Sequence, residues 1–401
     1  MISMEDALEI VLKQVSVLSS ERVKLLSSLG RVLSENIYSD FDIPGFNRAA
    51  MDGYAVVAKD TVHACPDRPV TLKVIDEVPA GFRVKSAISS GKAIRIMTGA
   101  VLPEGADAVV MVEYTEARGD KVMVFRSVKK GENVSFSGED VKKGELVLPR
   151  GTLIRPQEVG MLAALGKTEV YVTRKPKVAI ISTGDELIEP GRTLEKGKIY
   201  DSNSFSLFSQ VLKCGADPER IGIVPDDKDE LLHKVKMGLS SNILLLSGGV
   251  SEGKYDLVKE VLMEAGVKPL FWKVAVKPGK PTFFGIRKRT LVFGLPGYPV
   301  SSMMNFENLV KPAIFKMLGR EGYKRIKIKA VLKGEIKNSS GRKNFIRVRL
   351  IEENGRYLAI PAPSQKSGVL KSMVWANAVV ILSTDIRKVE NGEEVLVEIL
   401  D

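Results

Sequence analysis

The spacing of apolar and polar positions changes several times along this 401-residue chain. Ala7, Leu8, Ile10, Val11 and Val15 fall at helical spacing behind the acids Glu5 and Asp6, which predicts an opening helix. A second helical stretch is expected over residues 23–33. Pro44-Gly45 and Asp52-Gly53 then mark turns. From residue 54 to about 137 the chain breaks into short β-branched runs, at 70–78, 93–97, 108–113 and 121–128, split by Gly, Pro and Asp. Without a long amphipathic helix among them, they predict a small β domain inserted into a larger unit.

From about Pro176 the period changes again. Residues 177–182, 242–247 and 291–293 are apolar runs, each followed by a Gly-rich loop and a helical pattern. One helix is expected from about Asn203, with Phe205, Phe208, Val211 and Leu212 on its inner face and Gly215 as its stop. The next carries Leu257, Val258, Val261 and Leu262, and a third runs to about Leu318. Strand, loop and helix in repetition predict a parallel α/β sheet, whose ligands bind beyond the carboxyl ends of the strands. After about Gly322 no further helix is expected. Runs at 326–333, 345–350, 357–360, 379–382 and 394–400 read as strands of a closing β domain.

Composition narrows the chemistry. The apolar fraction is 44%, ordinary for globular cores, and no apolar run approaches the length of a bilayer span. Two cysteines, Cys65 and Cys214, and two histidines, His63 and His233, exclude a zinc set and a disulfide framework, and fit a reducing, cytoplasmic setting. Any catalysis would use carboxylates, Lys/Arg, hydroxyls or a hard cation held by oxygen. The net charge of +11 first points to polyanions. With 6% aromatics and no basic-aromatic stretch, nucleic acid is a poor fit. Residues 320–349 hold eleven Lys/Arg against Glu321 and Glu335, whereas 182–256 hold thirteen acids against nine Lys/Arg.

Candidate chemistry gathers at the predicted carboxyl edge. Gly248 to Lys254 matches a phosphate loop, but Tyr255 stands where Ser or Thr would hold Mg²⁺. The loop reads equally as an anion site or as a plain turn. Lys277-Pro-Gly-Lys280-Pro281 sets two cations on a stiff turn, and taken alone is more often a solvated loop. Asp185, Glu186, Asp226, Asp227 and Asp256 can converge at that edge and suit Mg²⁺ beside substrate phosphates, while capping alone explains any one of them. Asp52 and Thr98 each occupy a Gly turn.

These loops, taken together, resemble one family. Ala50-Met-Asp-Gly-Tyr-Ala-Val56, Ile181-Ser-Thr-Gly-Asp-Glu-Leu187, Ser247-Gly-Gly-Val-Ser251, Val276-Lys-Pro-Gly-Lys-Pro281 and Gly294-Leu-Pro-Gly-Tyr-Pro-Val300 look like the molybdopterin molybdenumtransferase family, related to the C-terminal part of gephyrin. The likeness runs from Ile43 to about Asn377. It implies a multidomain α/β plus β protein: a linker and dimerisation domain (1–44 and 138–173), an inserted β domain (45–137), a central molybdopterin-binding-like α/β domain (174–322) and a small barrel-like β domain (323–401). It also implies insertion of molybdate or tungstate into adenylylated molybdopterin, with Mg²⁺ and release of AMP, by a homodimer with shared sites. The molybdopterin adenylyltransferase is a possible partner. That adenylyltransferase activity, or a non-enzymatic gephyrin-like scaffold, is the alternative.

By the same resemblance, Glu186, Asp226 or Asp227, and Asp256 hold the metal, and Asp52, Thr98, Asp140 and Glu186 are catalytic. Ser247, Gly248, Gly249, Lys277, Lys280, Pro296, Pro299, Arg342, Arg347 and Ser367 bind substrate. Relatives often carry arginines where Ser135, Phe136 and Ser137 stand, and Asn where Tyr298 stands. Lys254 and Tyr255 also depart from the family pattern.

Overall fold

The computed structural model describes residues 1–82, 84–249, 257–320 and 325–400. The chain forms two compact units, one of residues 36–150 and 161–166, the other of 1–35, 151–160 and 167–401.

In the larger unit the opening helix is Met4–Lys13, started by the Ser3 hydroxyl accepting from the Asp6 N–H at 2.9 Å. Met4, Ala7 and Val11 are its buried face. The helix expected over 23–33 is absent. Ser20–Lys24 is a strand paired antiparallel with Glu169–Thr173, and Leu25–Ser28 is a 3₁₀ turn. A partner some 149 positions along the chain (Ser20 opposite Thr173 to Lys24 opposite Glu169) overrode local spacing.

The central sheet runs Asp217–Val224, Lys177–Thr183, Ile243–Ser247, Thr290–Leu295, Pro281–Arg287, Lys268–Lys273. The first four strands are parallel, as expected, and the last two join by antiparallel pairings. Every residue of Ile243–Ser247 is buried, as both faces of a covered parallel sheet demand. Val178, Ile180, Ile243 and Leu245 pack into one core, and Ala179, Ile181, Leu244 and Leu246 into the core on the other face. Each such side chain contributes about 1.5–3 kcal/mol on burial.

The helix Asn203–Lys213 stops at Gly215 (φ +82°), as expected. Its inner face differs: Ser204, Leu207 and Val211 are buried, while Phe205 and Leu212 are exposed. Phe205 instead carries the Arg220 guanidinium 3.9 Å above its ring. The last helix is broken by a π-helical segment, Phe306–Val310, between Pro299–Asn305 and Lys311–Met317.

The C-terminal strands close into a five-stranded barrel: Lys343–Glu353, Arg356–Pro361, Lys327–Leu332, Glu394–Ile399 and Ala378–Leu382, which pairs back with Lys343–Glu353. A short helix, Lys371–Trp375, interrupts the all-strand pattern expected there.

In the smaller unit six strands form one sheet in the order Ala108–Met111, Gly53–Val56, Lys92–Ile96, Val70–Val78, Lys121–Val124, Thr115–Arg118. Gly53 allows the close approach of its neighbour: a Cβ there would lie 1.9 Å from the Val110 carbonyl oxygen. Among the described residues no helix is long and apolar enough to cross a membrane.

Candidate active site at the carboxyl edge of the central sheet

A cavity of about 780 Å³ opens where the parallel strands end. Its wall takes Gly184 and Glu186 from the loop after the first strand, Asp226 from the loop after Asp217–Val224, and Gly248-Gly249 from the loop after Ile243–Ser247. Pro296 to Pro299 come from the loop after Thr290–Leu295, and Gly368 and Leu370 from the C-terminal domain. Four sequence-distant loops therefore meet for one topological reason: parallel strands deliver their carboxyl ends to one side.

Backbone geometry at this edge requires glycine. Gly184 (φ +146°) lies under Glu186, so a Cβ there would stand 2.3 Å from the Glu186 Oε2. Gly248 (φ +101°) lies against the Thr183 carbonyl, which a Cβ would approach to 2.3 Å. Its N–H donates to the Leu295 carbonyl at 3.2 Å, so that donor serves the loop and not an anion. Gly248→Ala is expected to cost about 1–3 kcal/mol and to deform the cavity. Thermal unfolding together with ligand titration checks this; an unshifted melting temperature with intact binding would contradict it.

The acids separate into two roles. Glu186 and Asp226 face the cavity. The Asp226 Oδ1 accepts from the Thr183 hydroxyl at 3.3 Å, and its N–H donates to Asp185 Oδ1 at 3.0 Å. Asp227 turns away to cap the helix Lys228–Gly238, accepting from the Glu230 N–H at 2.8 Å. That bond satisfies an otherwise orphaned helix donor with one of the two carboxylate oxygens. Asp256, with Ser251, Lys254 and Tyr255, lies outside the described residues. Among the described residues no three acidic, His or Cys side chains gather as a metal-holding group.

The wall also contains residues that the sequence reading passed over. Asn203 donates from Nδ2 to the Ser247 hydroxyl (2.8 Å) and the Gly297 carbonyl (2.7 Å), tying two loops together. Among the described residues its Oδ1 and the Ser182 hydroxyl, both buried, have no hydrogen-bond partner. Asp201 N-caps the same helix start through Ser204. The run Asp201-Ser-Asn203 at a helix start was the available signal. Tyr298, 65% exposed, and Tyr200 add aromatic faces to the wall.

Pro281, next to Lys280, lines this cavity; Lys277, Lys280 and Arg342 are not among its described lining residues. Lys277 pairs with Asn344 in a short parallel ladder to the barrel, and Arg342 donates to the Val276 carbonyl at 3.0 Å. The barrel thus brings Arg342 to the Lys277–Lys280 loop. That loop is fixed by Asn305, whose Nδ2 donates to the Gly279 carbonyl at 3.0 Å. Ser367 accepts the Val300 N–H through its carbonyl at 3.1 Å.

Arg347 is held inside the barrel. Expected to face substrate, it is 1% exposed inside the C-terminal domain. Its Nε donates to the Ser372 hydroxyl (3.0 Å) and its guanidinium to the Ser364 carbonyl (3.3 Å). Burial pulls its pKa down to about 10. Arg347→Ala is expected to destabilise by about 2–4 kcal/mol, and Arg347→Met by less, because Met refills the volume. Denaturant titration of both variants checks the order.

In the smaller unit, Asp52 Oδ1 accepts from both the N–H and the hydroxyl of Thr98, each at 2.7 Å. These two donors hold its carboxyl below the usual aspartate range. Asp140 is exposed and anchored by its N–H on the Ile43 carbonyl at 3.0 Å. Ser135, one of the departures from the family pattern, donates to Glu139 and accepts from Arg48 Nε at 3.4 Å, so a guanidinium does stand near it. Cys65 and Cys214 are free; burial pushes the Cys214 thiol up to about 12.

An α/β ligand-binding domain with its site at the carboxyl edge, followed by a closed barrel, defines a class. The family model described as a probable molybdopterin binding domain matches residues 179–316. The MoeA N-terminal region (domain I and II) matches 2–166, and the MoeA C-terminal region (domain IV) matches 329–400. The chain belongs to the molybdopterin molybdenumtransferase family. It is 38% identical over 383 residues to the molybdopterin molybdenumtransferase of Bacillus subtilis, spanning 94% of this chain and 89% of that protein. It is 36% identical to that of Haemophilus influenzae, spanning 94% and 93%. A crystal structure of the molybdopterin biosynthesis moeA protein from Pyrococcus horikoshii superposes over 100% of both chains, with a TM-score of 0.87 and 40% identity.

Proposed function

We propose that this enzyme inserts molybdate or tungstate into the dithiolene of adenylylated molybdopterin, with Mg²⁺ and release of AMP. The observation that carries the reading is the cavity that sets Glu186 and Asp226 among Gly-rich turns in a chain of this family. Mg²⁺ commonly takes one or two protein carboxylates and completes its shell with phosphate oxygens and water, so this donor pair fits it. When bound, Mg²⁺ would neutralise charge at the pyrophosphate.

The chain's own residues would do the rest. Glu186 and Asp226 hold the cation site. Asn203 holds together the Ser247 and Gly297 loops that would frame the ligand. Tyr200 and Tyr298 offer faces for planar rings. Lys277, Lys280 and Arg342 attract the oxyanion. We further propose a homodimer in which Asp52, Thr98 and Asp140 complete the partner's site.

The test is the product. After incubation with adenylylated molybdopterin, Mg²⁺ and molybdate, the small-molecule fraction should activate an apo-molybdoenzyme. ATP-dependent adenylylation of molybdopterin without metal transfer would instead identify an adenylyltransferase.

A further inference from the structure

The central sheet has a second edge. Lys177–Thr183, Asp217–Val224 and Ile243–Ser247 end at the cavity described above, and their starting ends lie at a separate cleft of about 550 Å³. The sequence Arg174-Lys-Pro-Lys177, leading into the first of these strands, supplies three of its cations, and Arg31 supplies a fourth. Two acids line the same cleft, Glu21 and Asp217.

Both acids are already engaged. Glu21 pairs with the Arg31 guanidinium, which also donates to the Thr173 carbonyl at 2.9 Å, and Asp217 lies 3.6 Å from Lys175. Arg174 and Lys177 have no ion-pair partner among the described residues. The Asn242 Oδ1 accepts the Lys177 backbone N–H at 2.9 Å, which leaves its Nδ2 as the donor end. The Arg31 side chain is only 11% exposed, and its buried Nε has no partner among the described residues. A buried guanidinium N–H without an acceptor is costly, and native proteins rarely leave one so. Donors and positive charge are in surplus here and acceptors are missing.

We propose that this cleft binds a tetrahedral phosphate dianion, free or as a small phosphate monoester, at a site separate from the cavity at the opposite edge. Arg31, held by Glu21 and the Thr173 carbonyl, would form a fixed wall of the cleft. Arg174 and Lys177 would supply charge, and Asn242 the remaining donor.

Phosphorus NMR line-broadening on the full-length protein tests this, with inorganic phosphate and glycerol phosphate as probes. Three proteins are compared: wild type, the double variant Arg174→Ala/Lys177→Ala, and Lys277→Ala/Lys280→Ala. Wild type should bind, the Arg174/Lys177 variant should bind about tenfold or more weakly, and the Lys277/Lys280 variant should keep its affinity. Stronger binding of the ester than of phosphate would assign the site to a monoester; equal binding would assign it to free phosphate. Arg174 and Lys177 are exposed and Lys277 and Lys280 half-buried, and an unchanged melting temperature in each variant verifies that its fold survives. Binding that is absent in wild type, unchanged in Arg174→Ala/Lys177→Ala, or lost only in Lys277→Ala/Lys280→Ala overturns the proposal.

Discussion

Glu186→Ala is expected to lower kcat/KM for metal insertion by about 10²–10³-fold, with little change in stability. The side chain is exposed in a loop and packs into no core, so its loss should cost function and not folding. If Glu186 helps to hold the cation, Glu186→Gln should lose nearly as much activity as Glu186→Ala, since the amide keeps the shape but not the charge. Raising Mg²⁺ should recover part of either loss. Steady-state kinetics across a Mg²⁺ series decides this. Full activity in Glu186→Gln would remove Glu186 from the site.

Asp52→Asn is the second large effect, expected at about 10²–10⁴-fold if the carboxylate moves a proton during turnover. The Thr98 donors favour the ionised form of Asp52, so its negative charge persists to lower pH than an ordinary aspartate's and is lost only as pH falls through its depressed pKa. Thr98→Val removes the hydroxyl donor, so the acid limb of the pH–rate profile should move to higher pH. An unmoved limb would separate Thr98 from the ionisation of Asp52. If the dimer shares its sites, mixing Glu186→Ala with Asp52→Ala protein should restore about a quarter of wild-type activity. Half the random dimers are mixed, and each mixed dimer carries one intact site of two. No recovery after subunit exchange would place both residues in one protomer's site.

The legible parts of the sequence were those where the local pattern and the global fold agree. Ile243–Leu246 is apolar throughout because helices and loops cover both faces of its sheet, and the run reads as a buried strand. Ser20–Lys24 alternates only weakly and takes its structure from Glu169–Thr173, which no local window contains. Phe205 looked like core by spacing, but an arginine stacked on its ring lets it stay at the surface.

Site residues divided on similar lines. Gly184, Glu186, Gly248 and Pro296 were legible because turns after apolar strands announce a sheet edge. Charge alone did not announce the local partners of Asp227 and Arg347, a helix N–H in one case and two serines in the other. Asn203 was missed because an amide carries no charge signal, although it ties two walls of the cavity. The uneven charge has a local counterpart: cavity-facing carboxylates in 182–256, and Arg342 beside the Lys277–Lys280 loop.

Metal-dependent cleavage of an adenylylated pterin must release AMP. With adenylylated molybdopterin and Mg²⁺ supplied, AMP should appear only when molybdate or tungstate is added, in step with metal uptake. AMP released at the same rate without either oxyanion, or none released with both present, would contradict the account.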